Sequence, residues 1–192
     1  MNQNREKQIA EIIQVLQKLQ EEKTTVIAAI DGRCASGKTT LAKVLQERLD
    51  CNVIHMDDFF LRPEQRTEER LLVPGENVDH ERFFEEVLGP LRQGKEFSYR
   101  PYSCRRQELS DPVTVRLKKI TVVEGAYSCH SALFESYDVR IFLSIPYEEQ
   151  IKRLKIREGE AKTRMFAEKW IPLEEAYFSA YQIEKRCELC YL

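Results

Sequence analysis

The chain has 192 residues, 42% of them hydrophobic, which suits one globular domain that buries a full core. Its 30 basic and 32 acidic residues give a net charge of −2, and this balance argues against a general nucleic-acid binder, which would carry a strong basic excess. No apolar run is long enough to cross a bilayer, and the first residues lack the apolar core of a signal peptide. We therefore expect a cytoplasmic protein without a membrane partner, in which the cysteines stay reduced.

Hydrophobic spacing predicts strands that alternate with helices along the chain. In chain order we predict a helix at 5–22, a strand at 24–30, a helix at 38–49, a strand at 52–56, a helix at 81–91, strands at 120–123 and 139–145, helices at 147–157 and 161–180, and a last strand at 188–192. Residues 57–80 are predicted to form a long loop, and residues 96–117 an irregular or hairpin-like segment. This pattern predicts one α/β domain, residues 1–192, whose five-stranded, mostly parallel sheet has helices on both faces.

A glycine-rich stretch, GRCASGKT at residues 32–39, fits the phosphate-loop (Walker A) pattern G-x-x-x-x-G-K-[ST] between a predicted strand and a predicted helix. Gly32 and Gly37 let the backbone approach phosphates, and successive N–H groups at a helix start attract an anion. We expect Lys38 to face solvent and bridge the β- and γ-phosphates, and Thr39 to give its hydroxyl to Mg²⁺. The alternative is an ordinary glycine-rich turn. The residues expected to bind ATP are Gly32, Arg33, Cys34, Ala35, Ser36, Gly37, Lys38, Thr39 and Thr40.

Acidic residues follow two further predicted strands. Phosphoryl transfer needs a carboxylate near the metal and a group that orients or deprotonates the attacking hydroxyl. Glu124 and Asp57 stand where such groups are needed, at the carboxyl ends of strands, and we expect the strand before Asp57 to lie beside the phosphate-loop strand. Asp58 is the next residue, so only one carboxylate of the pair should face the nucleotide. The alternative for all three is a turn or a helix cap.

Several stretches, in this order, resemble the uridine kinase-like branch of P-loop kinases: IDGRCASGKTTLA, VIHMDDFF, NVDHERF, RPYSC, VVEGAY and KRLKIRE, followed by EKWIPLEEAYF. The resemblance covers most of the chain and implies a P-loop NTPase fold and a kinase that uses ATP and Mg²⁺. It implies that Asp57 is the general base near the metal and that Glu124 is a metal-shell acid. Residues 57–117 would form the acceptor-side loops and cap, and residues 150–166 a lid.

The resemblance also implies roles for substrate-facing residues. Asp79 would bind ribose hydroxyls and Tyr102 would lie near the nucleobase, although Asp79 is equally suited to cap a helix and Tyr102 to pack in a core. Arg153 and Arg157, and less strongly Arg164, would fall in the lid that closes over the phosphates. Their planar guanidinium groups suit phosphate oxygens, and the alternative is a solvated helix face.

The sequence departs from the uridine-specific pattern after Tyr102, where we would expect an acid and then a histidine but find Ser-Cys-Arg-Arg-Gln. We predict transfer of the ATP γ-phosphate to a nucleoside resembling uridine or cytidine. Pantothenate, a sugar phosphate held by Arg100, Arg105 or Arg106, and a non-catalytic nucleotide-binding role stay open, as does a homo-oligomer. A GTPase switch is disfavoured because no N-K-x-D stretch is present. Cys187 and Cys190 are expected to be ordinary buried thiols rather than zinc ligands.

Overall fold

A computed structural model describes residues 3–192. Its strands are β1 (Val26–Gly32), β2 (Cys51–His55), β3 (Phe97–Tyr99), β4 (Tyr102–Ser103), β5 (Glu108–Leu109), β6 (Val113–Val115), β7 (Ile120–Glu124), β8 (Val139–Leu143) and β9 (Leu189–Tyr191). Its α-helices are α1 (Gln3–Glu22), α2 (Lys38–Arg48), α3 (Glu68–Leu72), α4 (His80–Phe83), α5 (Gly89–Arg92), α6 (Tyr147–Glu158), α7 (Glu160–Met165), α8 (Ile171–Tyr181) and α9 (Ile183–Arg186). A π-helical turn joins α4 to α5, and another joins α7 to α8.

Five parallel strands form the central sheet in the order β2-β7-β1-β8-β9, which confirms the predicted α/β class and strand number. One expectation about this sheet is wrong. β2, the strand before Asp57, pairs with β7 and not with the phosphate-loop strand β1. The strand that ends at Glu124 therefore lies between them, and the register places His55 of β2 opposite Glu124 of β7.

Alternating side chains of the sheet pack into two apolar layers, as expected for a sheet covered on both faces. In β1, Val26, Ala28 and Ile30 belong to the layer that contains residues of α1 and α2. Ile27 and Ala29 belong to the opposite layer, which contains aromatic residues from the segment 57–117 and from α8. The buried positions of α1 are Ile9, Ile12 and Leu16, at the spacing that the sequence predicted for a single helix face.

The segment between β2 and β7 is built from short elements that pack on the second apolar layer. The predicted hairpin-like region is confirmed as two small antiparallel pairs, β3 with β6 and β4 with β5. The predicted loop at 57–80 contains short helical turns, α3 and an antiparallel bridge between Phe60 and Val78. Phe59 is fully buried there between the rings of Phe83 and Tyr99, at centroid distances of 4.9 and 5.2 Å.

All six cysteines are free, as expected for reduced thiols. The prediction that Cys187 and Cys190 are both buried is wrong for Cys190, which is exposed. Cys190 lies on the edge strand β9, where alternate side chains point away from the core, and its thiol donates to the carbonyl of Glu184. Among residues 3–192, no helix combines the length and the apolar character needed to cross a membrane.

Candidate active site

The phosphate loop runs from the end of β1 to the start of α2. Gly32 has φ of 131°, and a Cβ atom there would lie 2.0 Å from the carbonyl oxygen of Leu143 on β8. Gly37 has φ of 99°, in the region that side-chain-bearing residues rarely adopt. The two glycines of the sequence motif are therefore required by close packing at one end of the loop and by backbone conformation at the other.

A cavity of about 1000 Å³ opens above the loop at the carboxyl ends of β1, β2 and β7. Most of the predicted ATP-binding residues line it, namely Cys34, Ala35, Gly37, Lys38, Thr39 and Thr40. Gly32, Arg33 and Ser36 do not. The Arg33 guanidinium turns away to the Glu175 carboxylate, at 2.6 Å, and to the Ser144 hydroxyl, also at 2.6 Å.

Lys38 lines the cavity, but the expectation that it faces solvent is wrong, because only 8% of it is exposed. Its ammonium group donates to the carbonyl oxygens of Gly32, at 2.6 Å, and Arg33, at 3.0 Å. The two carbonyl oxygens therefore accept the hydrogen bonds that the ammonium group would give to phosphate oxygens. The side chain is thus folded onto its own loop and would have to exchange these contacts for a bound phosphate.

Oxygen ligands converge beside Thr39. The Thr39 hydroxyl donates to Glu124 Oε2 at 3.2 Å, and Asp57 lines the same cavity. Gly125 lets the chain after Glu124 approach Asp57 closely. A hydroxyl and two carboxylates are the hard oxygen donors that Mg²⁺ prefers, so these three residues fit the metal that the family implies.

His55 contacts this group and was not singled out from the sequence. Its Nδ1 lies 2.6 Å from Glu124 Oε1, and this hydrogen bond is the largest cause that raises the pKa of the imidazole, against the opposing effect of burial. Glu124 is itself buried. The only local signal was a histidine at the end of a strand, because its partner lies on a neighbouring strand 69 residues away.

The two neighbouring aspartates differ in what they face. Asp57 lines the cavity and is open to it, although protein surrounds the carboxylate on its other sides. That burial is the main cause that raises the pKa of Asp57, followed by Lys38, which opposes the shift, and Glu124, which adds to it. Asp58 does not line the cavity and accepts a hydrogen bond from the Tyr99 hydroxyl at 3.1 Å. Only one of the pair therefore faces the expected nucleotide position.

The three arginines expected in the lid differ in their relation to the cavity. Arg153 and Arg157 of α6 both line the cavity with exposed side chains, and Arg153 donates to the carbonyl oxygen of Ala35 in the phosphate loop at 3.2 Å. Arg157 donates to Glu158. Arg164 of α7 is exposed and does not line the cavity.

Asp79 and Tyr102, the expected acceptor-binding residues, are buried and do not line the cavity. Asp79 is the N-cap of α4, where Oδ1 accepts from the backbone N–H of Arg82 at 3.1 Å and Oδ2 accepts from Gln65 at 2.7 Å. The Tyr102 hydroxyl has no hydrogen-bond partner among residues 3–192. Acceptor binding by these two residues stays a prediction.

The cavity also has walls that the sequence did not assign. They are mostly apolar or aromatic: Phe60, Leu61 and Leu71 come from the segment after β2, Tyr127 follows β7, Phe166 and Trp170 belong to the π-helical turn before α8, and Leu173 lies in α8. Arg66 lines the cavity, whereas Arg100, Arg105 and Arg106, the candidates for an anionic acceptor, do not. Arg100 instead donates to the carbonyls of Leu109 and Ser110.

No family model matches the chain. Among curated proteins it is 34% identical over 142 residues to nicotinamide riboside kinase 1 of Homo sapiens, covering 69% of this chain and 65% of that protein. It is 32% identical to nicotinamide riboside kinase 1 of Rattus norvegicus, over 71% and 68% of the two chains. It is 26% identical to uridine kinase of Ureaplasma parvum serovar 3, over 75% and 74%.

Solved structures share the fold. A possible uridine kinase from Bacillus stearothermophilus superposes with a TM-score of 0.64 at 20% identity, over 95% of this chain and 100% of that one. A putative fructose transport system kinase from Silicibacter sp. TM1040 superposes with a TM-score of 0.65 at 20% identity, over 93% and 97%. The phosphate loop, the cavity and these relatives together place the chain in the uridine kinase-like family of P-loop kinases, as an ATP-dependent phosphotransferase.

Proposed function

We propose that this chain transfers the γ-phosphate of MgATP to a hydroxyl group of a nucleoside resembling uridine or cytidine. The observation that carries the proposal is the single cavity in which the phosphate loop, Asp57 and Arg153 face an aromatic acceptor wall. Relatives named uridine kinase and nicotinamide riboside kinase support a nucleoside as the acceptor. We further propose that residues 57–117 supply the acceptor side and residues 150–166 the lid of one domain.

The phosphates would be held by charge and by the loop backbone. Lys38 would leave the carbonyls of Gly32 and Arg33 and bind phosphate oxygens. A negatively charged phosphate oxygen binds an ammonium group more strongly than a neutral carbonyl oxygen does. Arg153 and Arg157 would add guanidinium groups from the lid and exclude water, which otherwise competes with the acceptor. Thr39, Asp57 and Glu124 would hold Mg²⁺, which neutralises phosphate charge when bound.

Asp57 would orient the acceptor hydroxyl and take its proton. Desolvation raises the pKa of Asp57 above the ordinary value for an aspartate, and a positioned carboxylate base contributes about 10²–10⁴-fold to a proton transfer. Asp58 is unsuited to the role because the Tyr99 hydroxyl holds it outside the cavity. The proton would pass from the acceptor oxygen to an Asp57 oxygen as the bond to phosphorus forms.

A nucleoside with a pyridinium base is the second candidate acceptor. Identity to nicotinamide riboside kinase 1 exceeds identity to uridine kinase, and the segment after Tyr102 lacks the acid and histidine of the uridine-specific pattern. The cavity wall carries the Glu168 carboxylate, which suits a cationic base, and the Trp170 ring, from whose face the Lys169 ammonium, now 4.8 Å from the ring centroid, would have to move. An anionic acceptor is the third candidate, since Arg66 and Lys169 line the cavity whereas Arg100, Arg105 and Arg106 do not.

A turnover screen tests the proposal. The purified chain is incubated with MgATP and with uridine, cytidine, nicotinamide riboside, pantothenate or a sugar phosphate, and ADP release is measured. We expect turnover with at least one nucleoside and none in Lys38→Ala or Lys38→Met, the second of which keeps the aliphatic stem. Turnover only with pantothenate or a sugar phosphate would overturn the nucleoside proposal, and wild-type turnover by folded Lys38 variants would overturn the role of the phosphate loop.

A further inference from the structure

Glu174 of α8 lies in the cavity wall and contacts the phosphate loop. Its Oε2 accepts a hydrogen bond from the backbone N–H of Cys34 at 2.9 Å. Glu174 is only 5% exposed, yet it lines the cavity. A loop amide near the phosphate site is thus occupied by a protein carboxylate, and no residue role assigned above accounts for it.

The Glu174 carboxylate lies in an environment that both opposes and compensates its charge. Burial raises the pKa of its carboxyl, and the Lys38 ammonium is the strongest opposing influence. Burial, followed by the nearby Glu174 charge, raises the pKa of the Cys34 thiol to about 12, which favours its protonated form. Glu174 thus accepts from the Cys34 amide and also contacts the Cys34 thiol, and the amide bond is the one that reaches the loop backbone.

The rest of α8 holds the loop less directly. Glu175 pairs with the side chain of Arg33, at 2.6 Å, where both groups are partly exposed. The Tyr177 hydroxyl donates to Asp31, the residue before the loop, at 2.8 Å. Glu174 differs from both because it binds the loop backbone itself.

We propose that Glu174 is a positioning residue of the nucleotide site, which fixes the first turn of the phosphate loop by accepting from the Cys34 amide. The role depends on the position of the acceptor oxygen and not on its charge. It concerns the nucleotide side alone, and so it can be tested by binding without any acceptor.

The test measures the dissociation constant of MgATP for wild type, Glu174→Ala, Glu174→Gln and Glu174→Asp. An unpaired buried amide is costly, so we expect about tenfold weaker binding in Glu174→Ala. Glu174→Gln keeps an oxygen at the same reach and should stay within about threefold of wild type. Glu174→Asp keeps the charge but withdraws the oxygen by one methylene, and it should bind about as weakly as the alanine variant.

Glu175→Ala is the matched control. It removes the same side chain from the next position on α8, but it breaks a partly exposed ion pair with the Arg33 side chain, which keeps its bond to the Ser144 hydroxyl, so binding should change by less than about threefold. Thermal unfolding of each variant checks the fold, and the aspartate and glutamine pair decides the question if Glu174→Ala does not fold.

Three results would overturn the proposal: MgATP binding by Glu174→Asp at wild-type strength, binding by Glu174→Gln as weak as by Glu174→Asp, or tighter binding in any of the Glu174 variants. The last of these would mean that the carboxylate obstructs the nucleotide. Absence of turnover with every nucleoside would instead count against the proposed function and would leave this binding test valid.

Discussion

Oδ1 of Asp57 lies 3.3 Å from the point where a side chain on Gly125 would begin. Gly125 has φ of 141° and its missing Cβ would lie 2.9 Å from the Cβ of Met56. The absence of a side chain therefore lets the chain after Glu124 pass close to the turn that carries Asp57. In this way the fold brings two carboxylates from neighbouring strands to one edge of the sheet.

Gly125→Ala should disturb this arrangement. The new methyl group would crowd Met56 and Asp57 and adopt a rarely occupied backbone conformation, so we expect the free energy of unfolding to fall by about 1–3 kcal/mol. Turnover should fall at least about tenfold because the Asp57 carboxylate is displaced. Gly94→Ala is the control: φ there is 66° but no atom lies within 4 Å, so it tests backbone strain without crowding. Equal turnover losses in both variants would contradict this explanation.

Asp57→Asn should separate chemistry from nucleotide binding. The amide keeps the shape of the Asp57 side chain but cannot take the proton of the attacking hydroxyl, so kcat should fall by about 10²-fold or more. The affinity for ATP measured without Mg²⁺ should change little because the phosphate loop is untouched. Asp58→Asn is the matched comparison, and its effect should be mild, since the Tyr99 hydroxyl can donate to the amide oxygen as well. A severe loss in Asp58→Asn with a mild one in Asp57→Asn would reverse the assignment.

The features that the sequence predicted correctly are those with local signals. The glycines and lysine of the phosphate loop stand within eight residues of one another, and β1, β7 and β8 are short apolar runs rich in β-branched residues. Both patterns can be recognised from a short stretch of sequence, and the structure contains both the loop and the strands.

The features that sequence reasoning missed depend on pairing between distant segments. β7 lies between β2 and β1, and no local pattern of these strands specifies which one is central. The contact between His55 and Glu124 follows from that order and register. Glu174 meets Cys34 only after α8 docks on the loop. Asp79 illustrates a different limit, because the same residue type suits a helix cap and a hydroxyl ligand equally.

His130 should make the stability of the fold depend on pH. Its side chain is 2% exposed, its ring stacks on His80 at a centroid distance of 4.2 Å, and burial, followed by the charge of His80, lowers its pKa to about 4. The depressed pKa means that the unfolded chain binds a proton more readily. The stabilising contribution is therefore full above about pH 6.5 and is lost as the pH falls towards about 4.

The check is the free energy of unfolding between pH 7 and pH 4, from denaturant titrations. His130→Asn keeps an acceptor for the Ala132 amide, which His130 Nδ1 accepts at 3.2 Å. This variant should lose up to about 3 kcal/mol of the pH-dependent change that wild type shows. Identical pH profiles for the two proteins would mean that His130 is not the titrating group.

Asp79 should make the reaction sensitive to ribose hydroxyls if the acceptor is a nucleoside. The carboxylate is 3% exposed and its oxygens are taken by Gln65 and by the Arg82 amide, so binding a ribose requires the Gln65 contact to be exchanged for a substrate hydroxyl. An acceptor that lacks the hydroxyl leaves the Gln65 contact in place and forgoes a hydrogen bond to a charged carboxylate. We therefore expect 2′-deoxyribose acceptors to be turned over at least about tenfold more slowly than ribose acceptors. The preference should be measured as kcat/KM for the ribose acceptor divided by kcat/KM for the deoxyribose acceptor, in wild type and in Asp79→Asn, which can still cap α4. This ratio should fall towards one in the variant, while the melting temperature stays close to that of wild type. Equal rates with ribose and deoxyribose in wild type would assign Asp79 to helix capping alone.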